Sequence, residues 1–206
     1  MDINIFKKTP FLGILRGIKE DALESVLDAV ILSGLRSIEI TMNTKNAADL
    51  IRRAVRTCGK QLMIGAGTVL DLDTLKQAQN AGATFMVSPV LVENLVSYCT
   101  KNKIPVFPGA LTPQEVYNAW NAGATMVKVF PAKFFGPAYF KELKAPLKDL
   151  KLLACGGVSP DNIKEYFLAG ADAVAFGASA FRKDWIAKKD FLSMEQYLKK
   201  ILSCAL

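Results

Sequence analysis

The chain has 206 residues, 51% of them apolar, and carries 26 basic against 19 acidic side chains, a formal charge of +7. A charged fraction of only 22% excludes a disordered chain, and no apolar run approaches the roughly 18 residues a membrane span requires. No histidine occurs, which rules out Ser-His-Asp and Cys-His nucleophiles, histidine metal sites and histidine acid–base catalysis.

The first apolar stretch, Phe11-Leu12-Gly13-Ile14-Leu15, stops at Arg16. It is too short for a signal-peptide core and no small-residue cleavage site follows, so residues 12–15 are expected to form a first strand. Leu23, Val26, Leu27, Val30 and Ile31 then recur at helical spacing, and Ser33-Gly34-Leu35 ends that helix. Glycine belongs just past a helix end, where a positive φ is usual. A strand at 37–41 follows, and Ala47, Leu50, Ile51, Ala54, Val55 and Cys58 form a one-face helical stripe. Residues 62–65 read as a third strand. Ala81-Gly82-Ala83 repeats the helix-stop signal before a strand at 85–88, and residues 105–107 supply a fifth. Thr112-Pro113-Gln114-Glu115 combines an N-cap, a proline at the first helical position and a capping-box glutamate. Ala122-Gly123-Ala124 precedes a strand at 126–130, and residues 151–154 give the seventh. Ser159-Pro160 repeats the helix-start signal, and Ala169-Gly170-Ala171 introduces the last strand at 173–176.

The helix-stopping glycines fall 48, 41 and 47 residues apart, each gap two strand–helix units long. Strict alternation argues for a parallel sheet covered by helices. Eight regular units predict one α/β domain over residues 1–206, a single (β/α)8, or TIM, barrel. An open doubly wound sheet is the alternative, but no G-x-G-x-x-G fingerprint follows the first strand.

The four cysteines are widely spaced without a C-x-x-C pair, as expected for reduced thiols in a cytoplasmic protein with no metal and no redox dithiol. The lysines are scattered through the C-terminal half without a basic arm or an aromatic RNA-binding motif. The expected partner is therefore a small anion, with neither nucleic acid nor membrane involved.

Three strands carry a charge where an apolar residue is expected. In Ser37-Ile38-Glu39-Ile40-Thr41 the isoleucines share the helix-facing side, so Glu39 points into the barrel. In Met126-Val127-Lys128-Val129-Phe130 the valines face the helices and Lys128 points inward, while Arg16 ends the first strand. One reading is a self-satisfied buried Glu39–Lys128 ion pair, although each buried ion loses several kcal/mol of solvation. The other is functional. Burial disfavours the ammonium form and leaves a free amine able to attack a carbonyl, with the carboxylate moving protons.

Glycines give a second signal. Gly156-Gly157-Val158-Ser159 follows strand seven and Gly177-Ala178-Ser179 follows strand eight. Those two loops are the frequent phosphate site of this fold, since glycine lets backbone N–H groups approach an anion. The Gly65-Ala66-Gly67-Thr68 turn adds a hydroxyl at Thr68.

These motifs resemble a known family. Ile14-Leu15-Arg16-Gly17, Ile38-Glu39-Ile40-Thr41, Ile64-Gly65-Ala66-Gly67-Thr68-Val69, Val87-Ser88-Pro89, Phe107-Pro108-Gly109, Val127-Lys128-Val129-Phe130-Pro131 and Gly156-Gly157-Val158 occur in order across residues 11–181. The chain resembles the class I aldolases that cleave 2-keto-3-deoxy-6-phosphogluconate (KDPG), with their 4-hydroxy-2-oxoglutarate (KHG) and 2-keto-3-deoxy-6-phosphogalactonate relatives. The resemblance implies that Lys128 forms a Schiff base with the keto carbon and that Glu39 transfers protons. It implies that Arg16 and Thr68 hold the pyruvyl carboxylate end and that Pro89 and Phe130 line the site. Gly156, Gly157, Gly177, Ala178 and Ser179 would surround the phosphate. It further implies a phosphorylated keto-acid substrate, no metal, no organic cofactor and a homotrimer. One departure concerns Asn43, where many phosphogluconate-type members have arginine. Together with Leu15-Arg16-Gly17 and Phe135-Gly136-Pro137 it looks closer to the phosphogalactonate type. A sugar-phosphate-binding barrel without aldolase chemistry is the remaining alternative.

Overall fold

The computed structural model describes residues 1–204 of the chain, and residues 205–206 of the expected domain lie outside them. The strand segments are β1 (Phe11–Leu15), β2 (Ser37–Thr41), β3 (Met63–Gly67), β4 (Met86–Val87), β5 (Val106–Phe107), β6 (Gly109–Ala110), β7 (Val127–Val129), β8 (Leu152–Cys155) and β9 (Ala173–Phe176). All pairings are parallel, in the order β5-β4-β3-β2-β1-β9-β8-β7-β6. The two ends of that order are consecutive in sequence. β5 pairs with β4 and β6 with β7, so they are two halves of one stave and the sheet closes into a barrel of eight. Pro108 causes the break, because it has no N–H to give the ladder. Its carbonyl still accepts from Lys128 N–H at 2.9 Å.

Before β1 lies α1 (Ile3–Lys8), and after it come α2 (Glu20–Ser33), α3 (Ala47–Cys58), α4 (Leu72–Asn80), α5 (Glu93–Lys101), α6 (Pro113–Asn121), α7 (Ala138–Lys144), α8 (Ile163–Leu168), α9 (Lys183–Lys188) and α10 (Phe191–Leu202). The α3 stripe is buried at Ala47, Leu50, Ile51, Ala54 and Cys58. Gly34, Gly82, Gly123 and Gly170 have φ of 89°, 99°, 101° and 98°, the left-handed geometry expected of helix stops. Thr112 and Glu115 form the expected capping box on α6.

Two details correct the sequence expectations. Ser159-Pro160 does not open a helix. The Ser159 carbonyl accepts from the Asn162 and Ile163 N–H groups, making a turn, and α8 begins at Ile163. The third strand runs two residues further than expected, so that Thr41 pairs in register with Gly67. Sequence periodicity also gave no sign of α1. Asp2 caps it by accepting from the Asn4 and Ile5 N–H groups. Phe6 is fully buried among the inward residues Leu12, Phe85 and Phe107, its ring 5.8 Å from that of Phe107.

The buried side chains divide into two clusters. The larger one joins the outward strand residues, Ile38, Ile40, Val127 and Val129 among them, to the helices. The smaller fills the barrel with Leu12, Phe85, Val87, Phe107, Met126, Leu153, Cys155, Ala173 and Ala175. Each strand thus alternates between the clusters, as period-two side chains must. Glu39 and Lys128 stand at inward positions. Among the described residues no helix is long and apolar enough to cross a membrane.

Candidate active site

All five residues of β2 are buried, and its inward face is polar. The Ser37 hydroxyl donates to the Phe11 carbonyl at 2.7 Å, which satisfies it against the neighbouring strand. Glu39 is only 1% exposed and its Oε2 has no hydrogen-bond partner. Native structures rarely leave a buried carboxylate oxygen unpaired, because its desolvation is then uncompensated. Burial pushes the Glu39 carboxyl above its ordinary value, partly offset by the positive charges of Lys128 and Arg16. A carboxyl held towards its protonated form is able to give a proton as well as take one.

The carboxylate lies against Gly67. A Cβ at that position would collide with Glu39 Oε1 and Cδ, so glycine there is a cradle for the acid. Replacing Gly67 by Ala forces the carboxylate to move while leaving the ladder intact. The expected result is a folded protein whose proton-transfer rate falls at least tenfold, with a stability cost of about 1–3 kcal/mol from overpacking. Deuterium exchange of pyruvate methyl protons and thermal unfolding check the two parts. An exchange rate equal to wild type would show that the carboxylate position is immaterial.

Lys128 is 5% exposed, and its Nζ lies 5.0 Å from the centroid of the Phe130 ring, two residues further along the chain and just past the end of β7. Among the described residues Lys128 and Glu39 form no direct salt bridge. The self-satisfied ion pair considered from sequence is therefore absent. The two groups interact through space and leave the amine open to the cavity.

That cavity, about 1400 Å³, opens at the C-terminal ends of the strands. Arg16, Lys128 and Phe130 line one part of it. Gly156, Gly157, Gly177, Ala178 and Ser179, the expected phosphate residues, line another. Gly156 and Gly157 have φ of 96° and 80°, which side-chain-bearing residues resist, and a Cβ on Gly157 would strike Lys133. The Asn162 side chain holds this loop from behind. Its Nδ2 donates to the Gly157 carbonyl at 2.8 Å and its Oδ1 accepts from Ser159 N–H at 3.0 Å. The Ser179 hydroxyl donates to the Val158 carbonyl at 3.2 Å, stitching the two glycine loops together.

Thr68 and Pro89 are not part of this cavity lining, and neither is Glu39. Thr68 directly follows the Gly67 cradle and has φ of 56°, left-handed for a β-branched residue and hence strained. The Pro89 carbonyl packs so tightly on Gly109 that no Cβ fits between them. Gly109 is in turn the register partner of Lys128. The structure therefore brings Arg16, Lys128, Phe130 and the glycine loops to one cavity, with Glu39, Thr68 and Pro89 on the neighbouring staves.

A family model described as KDPG and KHG aldolase matches residues 3–197. The chain belongs to this aldolase family. It is 34% identical to the 2-dehydro-3-deoxy-6-phosphogalactonate aldolase of Escherichia coli (strain K12), over 85% of this chain and 86% of that one. It is 31% identical to a 2-dehydro-3-deoxy-phosphogluconate aldolase of Pseudomonas aeruginosa, over 89% and 84%. A solved structure described as native KDPGal superimposes with a TM-score of 0.89 at 31% identity, covering 96% of this chain and 94% of that chain.

For this member of the KDPG and KHG aldolases, sequence reasoning missed three residues around the site. Gly67 carried a readable signal, a glycine inside a strand, which often marks close approach of another group. Asn162 carried none, because only its contacts with the glycine loop reveal it. Cys155, read only as one of four reduced thiols, lines the cavity. Burial pushes its thiol up to about 11, which keeps it protonated and poorly nucleophilic.

Proposed function

We propose that this chain is a class I aldolase that cleaves a 2-keto-3-deoxy-6-phospho sugar acid to pyruvate and glyceraldehyde 3-phosphate. The observation that carries this reading is the buried Lys128 amine, free of any direct carboxylate partner, at the mouth of a barrel whose last two glycine loops face the same cavity. Arg16 and Thr68 take the substrate carboxylate. Phe130 and Pro89 pack around the keto-acid end, and the loops at Gly156, Gly157, Gly177, Ala178 and Ser179 take the phosphate.

The neutral Lys128 amine attacks the C2 carbonyl, and Glu39 delivers and removes the protons needed for the carbinolamine to lose water. The protonated imine accepts the electron pair of the C3–C4 bond as the C4 hydroxyl gives its proton to the Glu39 carboxylate. An aldehyde leaves and an enamine remains on Lys128. Protonation at C3 with Glu39 as the acid, followed by hydrolysis, releases pyruvate and restores the amine.

The first reading takes KDPG, 4-hydroxy-2-oxoglutarate or both as substrate, the oxoglutarate giving glyoxylate in place of glyceraldehyde 3-phosphate. A second reading, cleavage of the phosphogalactonate epimer, draws support from Asn43. This residue is exposed on the loop after β2 in place of the arginine of many phosphogluconate-type members. We further propose that residues 1–206 work as one cytoplasmic barrel unit assembled as a homotrimer. Large apolar side chains stand exposed on loops and helices after four successive staves: Leu70, Val90, Tyr117, Phe134 and Phe135. That half of the ring of staves is apolar enough to be covered by a second copy.

Pyruvate release from the two phosphorylated epimers and from 4-hydroxy-2-oxoglutarate, each measured with EDTA present, tests the proposal. At least one phosphorylated epimer is expected to be cleaved with kcat/KM tenfold or more above the unphosphorylated acid, because loop N–H groups favour an anion. EDTA should change nothing, since the chain has no histidine and no acidic cluster suited to a metal occurs among the described residues. Failure to cleave any of the three, or loss of activity in EDTA restored by a divalent cation, would refute it.

A further inference from the structure

Arg16 is an exposed cation at the end of β1 and pairs with no acidic side chain among the described residues. An unpaired arginine samples many rotamers, and holding a carboxylate in one geometry requires its backbone to be fixed. Both peptide groups that flank it are held by hydroxyls from the next stave. Gly17 N–H donates to Thr44 Oγ1 at 2.9 Å. Thr44 Oγ1 lies 3.1 Å from Thr41 Oγ1, and the Thr41 hydroxyl reaches the Leu15 carbonyl at 3.5 Å.

Only one proton arrangement satisfies the whole chain. Thr41 gives its proton to Leu15, Thr44 gives its own to Thr41, and Thr44 keeps its lone pair for Gly17 N–H. Both threonines are buried, Thr41 fully and Thr44 at 7% exposure, so water does not compete well for these bonds. Leu15 and Ile18, at 1% and 6% exposure, anchor the turn on either side. Gly17 has φ of 69°, a turn geometry that a hydrogen bond from its N–H helps to hold.

We propose that Thr44 is a positioning residue for substrate recognition. With Thr41 it forms a hydroxyl clamp that sets the Arg16-Gly17 turn and so aims the Arg16 guanidinium at the substrate carboxylate. This rests on the reading of Arg16 given above, and extends it to two residues that touch no substrate atom themselves.

The test measures deuterium exchange of pyruvate methyl protons as a function of pyruvate concentration, for Thr44→Val, Thr44→Ser, Arg16→Met and the double variant Arg16→Met/Thr44→Val. Thr44→Val keeps the shape and removes the acceptor. It is expected to raise KM for pyruvate roughly three- to tenfold, the scale of one lost hydrogen bond, with kcat within twofold. Thr44→Ser restores KM. In the Arg16→Met background Thr44→Val has no further effect, because the group it aims is gone. Thr44→Ala gives the same reading should the valine variant not fold. An unchanged KM in folded Thr44→Val beside a raised KM in Arg16→Met would overturn the clamp and leave the Arg16 reading standing. A Thr44→Val effect that persists without Arg16 would likewise overturn it. An unchanged KM in Arg16→Met would remove the carboxylate reading and the clamp together.

Discussion

Lys128→Met should abolish aldol cleavage and imine formation together while leaving the barrel folded. Methionine matches the length and apolar stem of lysine, and Lys128 sits at 5% exposure beside Phe130, so the replacement fills the same space. Exchanging a buried polar amine for an apolar side chain of similar size removes a desolvation cost, so the unfolding temperature is expected to hold or rise. Activity, by contrast, loses its covalent route. A fall of roughly 10⁴–10⁶-fold is the scale of removing an enzyme's nucleophile. Borohydride reduction in the presence of pyruvate should fix a pyruvyl adduct on the wild type and none on the variant, read by mass spectrometry of the intact chain. A folded Lys128→Met protein with near-normal turnover would end the Schiff-base mechanism.

Glu39→Gln carries the second large effect, and it moves two observables in opposite directions. If Glu39 shuttles protons, the variant should bind pyruvate yet slow imine formation and C3 exchange by ~10²–10⁴-fold. Stability should change the other way. The folded-state carboxyl has its pKa raised above the ordinary 4.5 by burial. The folded chain therefore holds that proton more tightly than the unfolded chain does. The wild type loses stability as pH rises from the ordinary carboxylate range to the raised folded value, and loses nothing from this group below that range. Glutamine is neutral at every pH and its amide escapes the cost. Thermal unfolding should show the variant comparable to wild type near pH 4 and more stable above it. Wild-type exchange rates in Glu39→Gln would reduce this acid to a structural residue, and a variant less stable than wild type at neutral pH would contradict the desolvation account.

The two effects share one physical origin. The barrel interior withholds water from Glu39 and supplies no partner for Oε2. It keeps that cost because Gly67 leaves room for the carboxylate, and because Lys128 and Arg16 stand near enough to temper its charge without neutralising it. An apolar residue at position 39 would make a more stable barrel that moves no protons. Such exchanges of stability for reactivity are usual at active sites.

Several parts of this protein were legible in the sequence alone. Period-two alternation placed Glu39 and Lys128 on the inward face, because side chains on an extended strand must alternate whatever the strand packs against. The helix stops at Gly34, Gly82, Gly123 and Gly170 were equally local, since a positive φ favours glycine in any context. Eight regular strand–helix units favoured a closed barrel over an open doubly wound sheet, and ordered motifs named the family. The tertiary structure decided everything that depends on residues distant in sequence meeting in space. Pro108 breaks a stave into halves that serve different neighbours, which matters only once the ring closes. Phe6 becomes part of the barrel core because the interior must be filled, whatever its own helix propensity. The separation of Glu39 from Lys128, the carboxylate resting on Gly67, the Asn162 brace behind the glycine loop and the Thr44 clamp on Arg16 are set by side-chain reach across staves. Reach of that kind has no period along the chain.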